Sequence, residues 1–211
     1  MSTLASQFDR IGFIVLLPGE LPIGRALEIA DALLAAPVNA VEIIANGPHT
    51  LDTLAAFRQR VGAQMLVGAG RVESIPDLEA AQQAGAQFAA SAAEFHLPLV
   101  GHARRRQFFY IPTVHAPGQT LIAHHAGCIW QKVRDDIDVD GLEGLQARAP
   151  EVKYIINQIP IAHMAAAYAA KAYAVTVNDI YLGEQQSMAD LIRRARRARR
   201  AWLKAAERLT P

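Results

Sequence analysis

The sequence predicts an α/β protein folded as a compact (β/α)8 barrel. Three observations carry this expectation. Short apolar runs alternate with segments of helical spacing. The units number eight in 211 residues, near the lower limit for that barrel. No linker or change of composition divides the chain, so residues 1–211 read as a single domain. A doubly wound open sheet is the competing arrangement.

The strands are expected at 12–17, 40–45, 65–69, 87–91, 108–113, 128–133, 152–157 and 172–178. Each is short and apolar, as strands buried on both faces are. Between the first two, Ala26, Ile29, Ala30, Leu33 and Leu34 share one helical face. Leu51, Leu54, Ala55 and Arg58 continue the pattern in the next helix. Leu78, Ala81 and Ala84 mark a third, which Gly85 ends. Pro22, Pro76 with Asp77, Pro117 and Pro160 are helix-start signals. The last segment, 187–209, is a helix expected to close the barrel. It contains six arginines within Arg193–Arg200. Ala195, Ala198 and Trp202 fall on one face of it, so the arginines read as a solvated surface around an anchoring Trp202.

Bulk composition narrows the function classes. The net charge is +1 and no apolar run is long enough to span a bilayer, so neither nucleic acid nor membrane is expected as a partner. The lone cysteine, Cys128, excludes an internal disulfide and reads as a core residue. The first ten residues carry no signal-peptide pattern, and a cytoplasmic location is expected. No glycine-rich nucleotide motif is present, and no cofactor is expected.

Two charges stand where charges are costly. Lys132 sits in Gly127-Cys128-Ile129-Trp130-Gln131-Lys132-Val133, and Glu42 in Ala40-Val41-Glu42-Ile43-Ile44. A lysine within a buried strand must be paired or neutral. A neutral amine attacks a carbonyl to form a Schiff base, and a nearby carboxylate can move the protons. With a period of two, Glu42 shares a face with Ala40 and Ile44, and Lys132 with Cys128 and Trp130. If both faces point inward, the two meet near the C-terminal mouth, where barrel active sites lie.

Other clusters have plainer readings. Asp136-x-Asp138-x-Asp140-Gly141 copies the start of a calcium loop, but position 12 is Ala147. The bidentate glutamate is missing, so no metal is expected there. His115, His124 and His125 read as surface or interface residues, and His163, after the seventh strand, is a weaker site candidate.

These motifs resemble the bacterial 2-keto-3-deoxy-6-phosphogluconate / 4-hydroxy-2-oxoglutarate aldolases, class I enzymes on trimeric barrels. The resemblance spans roughly 13–182. It rests on Val41-Glu42-Ile43, Val67-Gly68-Ala69-Gly70-Arg71-Val72, Ala84-Gly85-Ala86-Gln87-Phe88-Ala89, Ile111-Pro112, and Gly127 five residues before Lys132. It implies a catalytic Lys132 and Glu42, a small 2-oxo acid as substrate and a homotrimer. The family's arginine after the glutamate is replaced by Asn46, which leaves Arg71 to meet the substrate carboxylate. The Pro-Gly of the fifth strand is here Pro112-Thr113. Gln158-Ile159 and Asn178-Asp179 replace two glycine pairs that would admit a phosphate. Asn46, Arg71, Thr113 and Gln158 are thus the candidate substrate-binding residues, and the substrate is expected to lack a phosphate. A non-catalytic or repurposed aldolase-like barrel that has lost the phosphate site is the alternative.

Overall fold

A computed structural model describes residues 4–45, 47, 49–91, 95–134 and 139–209. Among them the chain forms nine parallel strands in one sheet. The strands are β1 (Phe13–Pro18), β2 (Ala40–Ile44), β3 (Leu66–Gly70), β4 (Phe88–Ala90), β5 (Phe109–Ile111), β6 (Thr113–Val114), β7 (Trp130–Val133), β8 (Lys153–Ile159) and β9 (Ala174–Val177). Their order, β5-β4-β3-β2-β1-β9-β8-β7-β6, runs round a ring whose ends are consecutive in sequence. This is a (β/α)8 barrel and not the open sheet.

The expected fifth strand is divided, which corrects the sequence reading of a single run. β5 pairs with β4, β6 pairs with β7, and Pro112 lies between them. Proline has no N–H to continue a ladder. Its carbonyl still accepts the Lys132 amide at 2.9 Å. Ser91 holds the far side: its hydroxyl accepts the Thr113 amide at 2.7 Å, and its carbonyl accepts from Thr113 Oγ1 at 2.8 Å. One kinked segment thereby closes the ring.

The helices α2 (Ile23–Ala35), α3 (Thr50–Val61), α4 (Ile75–Gln83), α5 (Leu97–Arg105), α6 (Pro117–His125), α7 (Val139–Arg148), α8 (Met164–Ala169) and α9 (Met188–Leu209) follow the strands. Their starts match the sequence signals. Pro22 precedes α2, Pro117 opens α6, and Ser74 and Asp77 form a reciprocal cap on α4. In α9, Ala195 and Ala198 are fully buried, and Trp202 packs edge-on against Tyr168 of α8 at 5.1 Å. Gly12, at φ +65°, leaves room for that indole: a Cβ there would meet Trp202 at 2.5 Å.

The strand alternation separates two cores. Val41, Ile43, Val67, Ala69, Val133 and Val175 face the helices. Ile14, Ala40, Leu66, Phe88, Ile111, Trp130, Ile155 and Ala174 face the barrel axis. A short helix the sequence did not announce, α1 (Leu4–Phe8), plugs the N-terminal end. Its Phe8 is fully buried and lies 5.0 Å from Phe88, 4.6 Å from Phe109 and 5.3 Å from Trp130, ring centroid to centroid.

Candidate active site

Above this aromatic floor the barrel axis turns polar. Glu42 follows Ala40 on the inner face of β2, and Lys132 follows Trp130 on the inner face of β7. The strands bring the two together across the barrel. Lys132 Nζ donates to Glu42 Oε1 at 2.7 Å and to Oε2 at 2.6 Å, and each side chain is 2% exposed. Burying two charges is costly, and only close bidentate geometry offsets the lost hydration.

Of the glycines in β3, Gly70 makes room for this pair and Gly68 for the floor beneath it. A Cβ at Gly70 would stand 2.4 Å from Glu42 Oε1, and one at Gly68 would stand 2.2 Å from the Phe88 ring. Thr113 lies in register with Lys132 and is fully buried, its hydroxyl spent on Ser91. Ile155 is the neighbour of Lys132 on the other side.

The remaining candidates occupy the rim. Arg71 follows β3 with φ 64°; its side chain is 55% exposed and reaches Glu73 at 3.8 Å. The cavity it borders, about 300 Å³, lies between the ends of β2 and β3 and helices α3 and α4, not on the barrel axis. Gln158 is exposed and has φ 56°. That is the left-handed region where glycine sits without strain. The backbone at the end of β8 thus keeps a glycine-like shape while carrying a side chain. Asn46 lies outside the described residues, as do Asp136 and Asp138 of the calcium-like sequence.

Sequence reasoning missed the polar pair Thr176 and Asn157 at this end. Thr176, buried in β9, donates to Asn157 Oδ1 of β8 at 2.7 Å. The signal was available, since Asn157 lies two residues beyond Ile155 in an apolar strand. Asp179 Oδ1 accepts the Ile161 amide at 2.9 Å, at the turn that opens α8. The Asp179 carbonyl is held by Arg194 at 2.8 Å.

The other singled-out residues stand apart. His115 is exposed beside Gln119; His124 and His125 end α6, on the side of the barrel floor. His163 is exposed. Cys128 is half-buried, and burial pushes its thiol up to about 11, so it is not an activated thiolate.

A closed parallel barrel with a buried lysine–carboxylate pair near its C-terminal mouth is an enzyme scaffold of the aldolase type. The KDPG and KHG aldolase family profile matches residues 22–179, and the chain belongs to that family of lyases. Among curated proteins no sequence matches. Solved structures agree on the fold. The 2-keto-3-deoxy-6-phosphogluconate aldolase of Zymomonas mobilis superposes with a TM-score of 0.84 at 20% identity, over 93% of this chain and 96% of that one. A 4-hydroxy-2-oxoglutarate/phosphogluconate-type aldolase gives 0.82 at 24% identity, over 96% and 100%. The Legionella pneumophila KDPG aldolase, solved with pyruvate captured as a covalent carbinolamine, gives 0.75 at 17%, over 97% and 98%.

Proposed function

We propose that the protein is a class I aldolase that reversibly cleaves a non-phosphorylated 2-oxo acid into pyruvate and an aldehyde. The observation that carries this reading is the buried contact between Lys132 and both oxygens of Glu42.

The chemistry follows from that contact. Glu42 takes a proton from Lys132, and the neutral amine adds to the C2 ketone. Glu42 returns a proton to the carbinolamine hydroxyl, which leaves as water and yields an iminium. The iminium is an electron sink. As Glu42 removes the C4 hydroxyl proton, the C3–C4 bond breaks, the aldehyde departs and the electron pair forms an enamine. Glu42 passes that proton to C3 of the enamine, which restores the iminium. Water then adds to the iminium, releasing pyruvate and free Lys132. Thr113 walls the site beside Lys132, while Arg71 and Gln158 stand at the rim, where the exposed Arg71 attracts an anionic substrate.

The phosphate-free preference rests on the far rim. The Asp179 carboxylate already occupies the Ile161 amide, and its charge opposes a second anion. The Asn178 side chain donates to the Gln158 carbonyl at 2.9 Å, filling space that glycine pairs would leave open. A barrel that binds without turnover is the second reading, favoured by the absence of a cation on the axis beside Lys132 among the described residues. The family resemblance further implies a homotrimer, which light scattering would report as three times the chain mass.

A lactate-dehydrogenase-coupled assay of pyruvate release tests the reading. Turnover of 4-hydroxy-2-oxoglutarate, exceeding that of 2-keto-3-deoxy-6-phosphogluconate in kcat/KM, is the expected result. The reverse preference would overturn the phosphate-free assignment, and release from neither would favour the silent barrel.

A further inference from the structure

A hydrogen-bond chain beside Lys132 has a fixed direction. The Gln158 amide donates to Thr176 Oγ1 at 2.6 Å, and Thr176 Oγ1 donates to Asn157 Oδ1 at 2.7 Å. A backbone N–H can only donate, so the hydroxyl oxygen accepts there and spends its single proton on Asn157. Turning the Asn157 amide over would leave the buried Thr176 proton without an acceptor, which is costly. The amide nitrogen therefore faces away from Thr176. Among the described residues its two protons have no assigned acceptor.

The fold aims this nitrogen at the site. Lys132 is in register with Ile155, an inward-facing residue of β8. Asn157 comes two residues later, where β8 bulges against β9, and its bond to the Thr176 hydroxyl places its side chain on the inner side. Its partner Thr176 likewise follows the inward-facing Ala174 of β9. In a 2-oxo acid held at Lys132, the carboxylate is bonded directly to the imine carbon. It offers only acceptors, whereas the Asn157 nitrogen offers only donors. Two rival donors among the described residues are engaged elsewhere: Thr113 Oγ1 is spent on Ser91, and Arg71 reaches outward to Glu73.

We propose that Asn157 is a substrate-recognition residue, whose side-chain amide binds the carboxylate of the 2-oxo acid imine on Lys132, and that Thr176 is the positioning residue that fixes its orientation. The proposal rests on the Schiff-base reading of Lys132.

Exchange of methyl protons for deuterium, followed by proton NMR in D2O, tests it with pyruvate and acetone as the two ketones. Both form an enamine, but only pyruvate carries a carboxylate. Asn157→Asp keeps the shape and still accepts from Thr176, but it turns a carboxylate oxygen towards the substrate. It should lower the ratio of pyruvate to acetone kcat/KM by about tenfold or more, mainly through KM for pyruvate, as like charges brought together do. Thr176→Val frees the amide to turn and should lower the same ratio by roughly threefold. A ratio unchanged in Asn157→Asp overturns the recognition role while leaving the Schiff-base reading intact. Wild-type protein that exchanges neither ketone overturns both.

Discussion

The two ends of the barrel axis are built on opposite principles. At the N-terminal end, Phe8 from α1 fills the bore against Phe88, Phe109 and Trp130. Among the described residues nothing there is charged on the axis, and aromatic packing stabilises it directly. At the C-terminal end the axis holds an ion pair, and Gly70 in β3 holds space open beside it. One end contributes stability; the other spends part of it to keep a lysine and a carboxylate out of water. Segregation of this kind lets the site tolerate strain, because the ring is secured from below.

The comparison can be broken by substitution, and the largest effect belongs to the pair. Lys132→Met should abolish pyruvate-forming activity in the coupled assay. It should also destabilise the fold by about 3–5 kcal/mol, because Glu42 is left buried and unpaired. Adding Glu42→Leu should restore the lost stability, and about 1 kcal/mol or more beyond it, without restoring activity. Denaturant titration of the single and double variants checks this. A double variant no more stable than the single would mean that the pair itself stabilises the barrel.

Phe8→Ala should cost a similar 3–5 kcal/mol and lower Tm by roughly 10 °C, with kcat little changed. Thermal melts and assays on the same sample would show whether floor and mouth are separable. Gly70→Ala comes next. Its methyl group collides with Glu42, so about 1–3 kcal/mol of stability is lost together with most of the turnover.

The smallest effect lies at the outer edge of the floor. Asp9 is bonded to Lys153 and to Tyr173 at 3.0 Å, and Lys153 lies 5.0 Å from the Trp130 ring centroid. The hydrogen bond from Lys153 holds the Asp9 carboxyl below the ordinary carboxylate value. A depressed folded-state pKa gives stability that is present above the unfolded value. That stability is lost as the pH falls through the folded one. Asp9→Asn should therefore lower stability at pH 7 by under about 1 kcal/mol, as partly exposed pairs do, and the difference from wild type should vanish in acid. Urea titrations at pH 7 and at pH 3 or below would check it.

Much of this was legible in the residues. Eight apolar runs and their proline starts foretold the ring, because β–α alternation leaves few ways to pack. Lys132 and Glu42 announced themselves by breaking apolar runs, the clearest sign a sequence can carry of a costly burial. Pro112 did not announce the divided strand, because closure depends on Ser91, which lies twenty-one residues away. α1 was silent because five residues with one phenylalanine carry no periodicity. Asn157 was passed over because an asparagine at a strand end reads as a turn. Only the Thr176 hydroxyl, brought alongside by β9, reveals what its amide offers.

The most direct measurement is borohydride reduction in the presence of pyruvate, followed by intact and peptide mass spectrometry. The account predicts one reduced pyruvate adduct per chain, located on Lys132 and absent from Lys132→Ala. No adduct at millimolar pyruvate, or an adduct on another lysine, would contradict it.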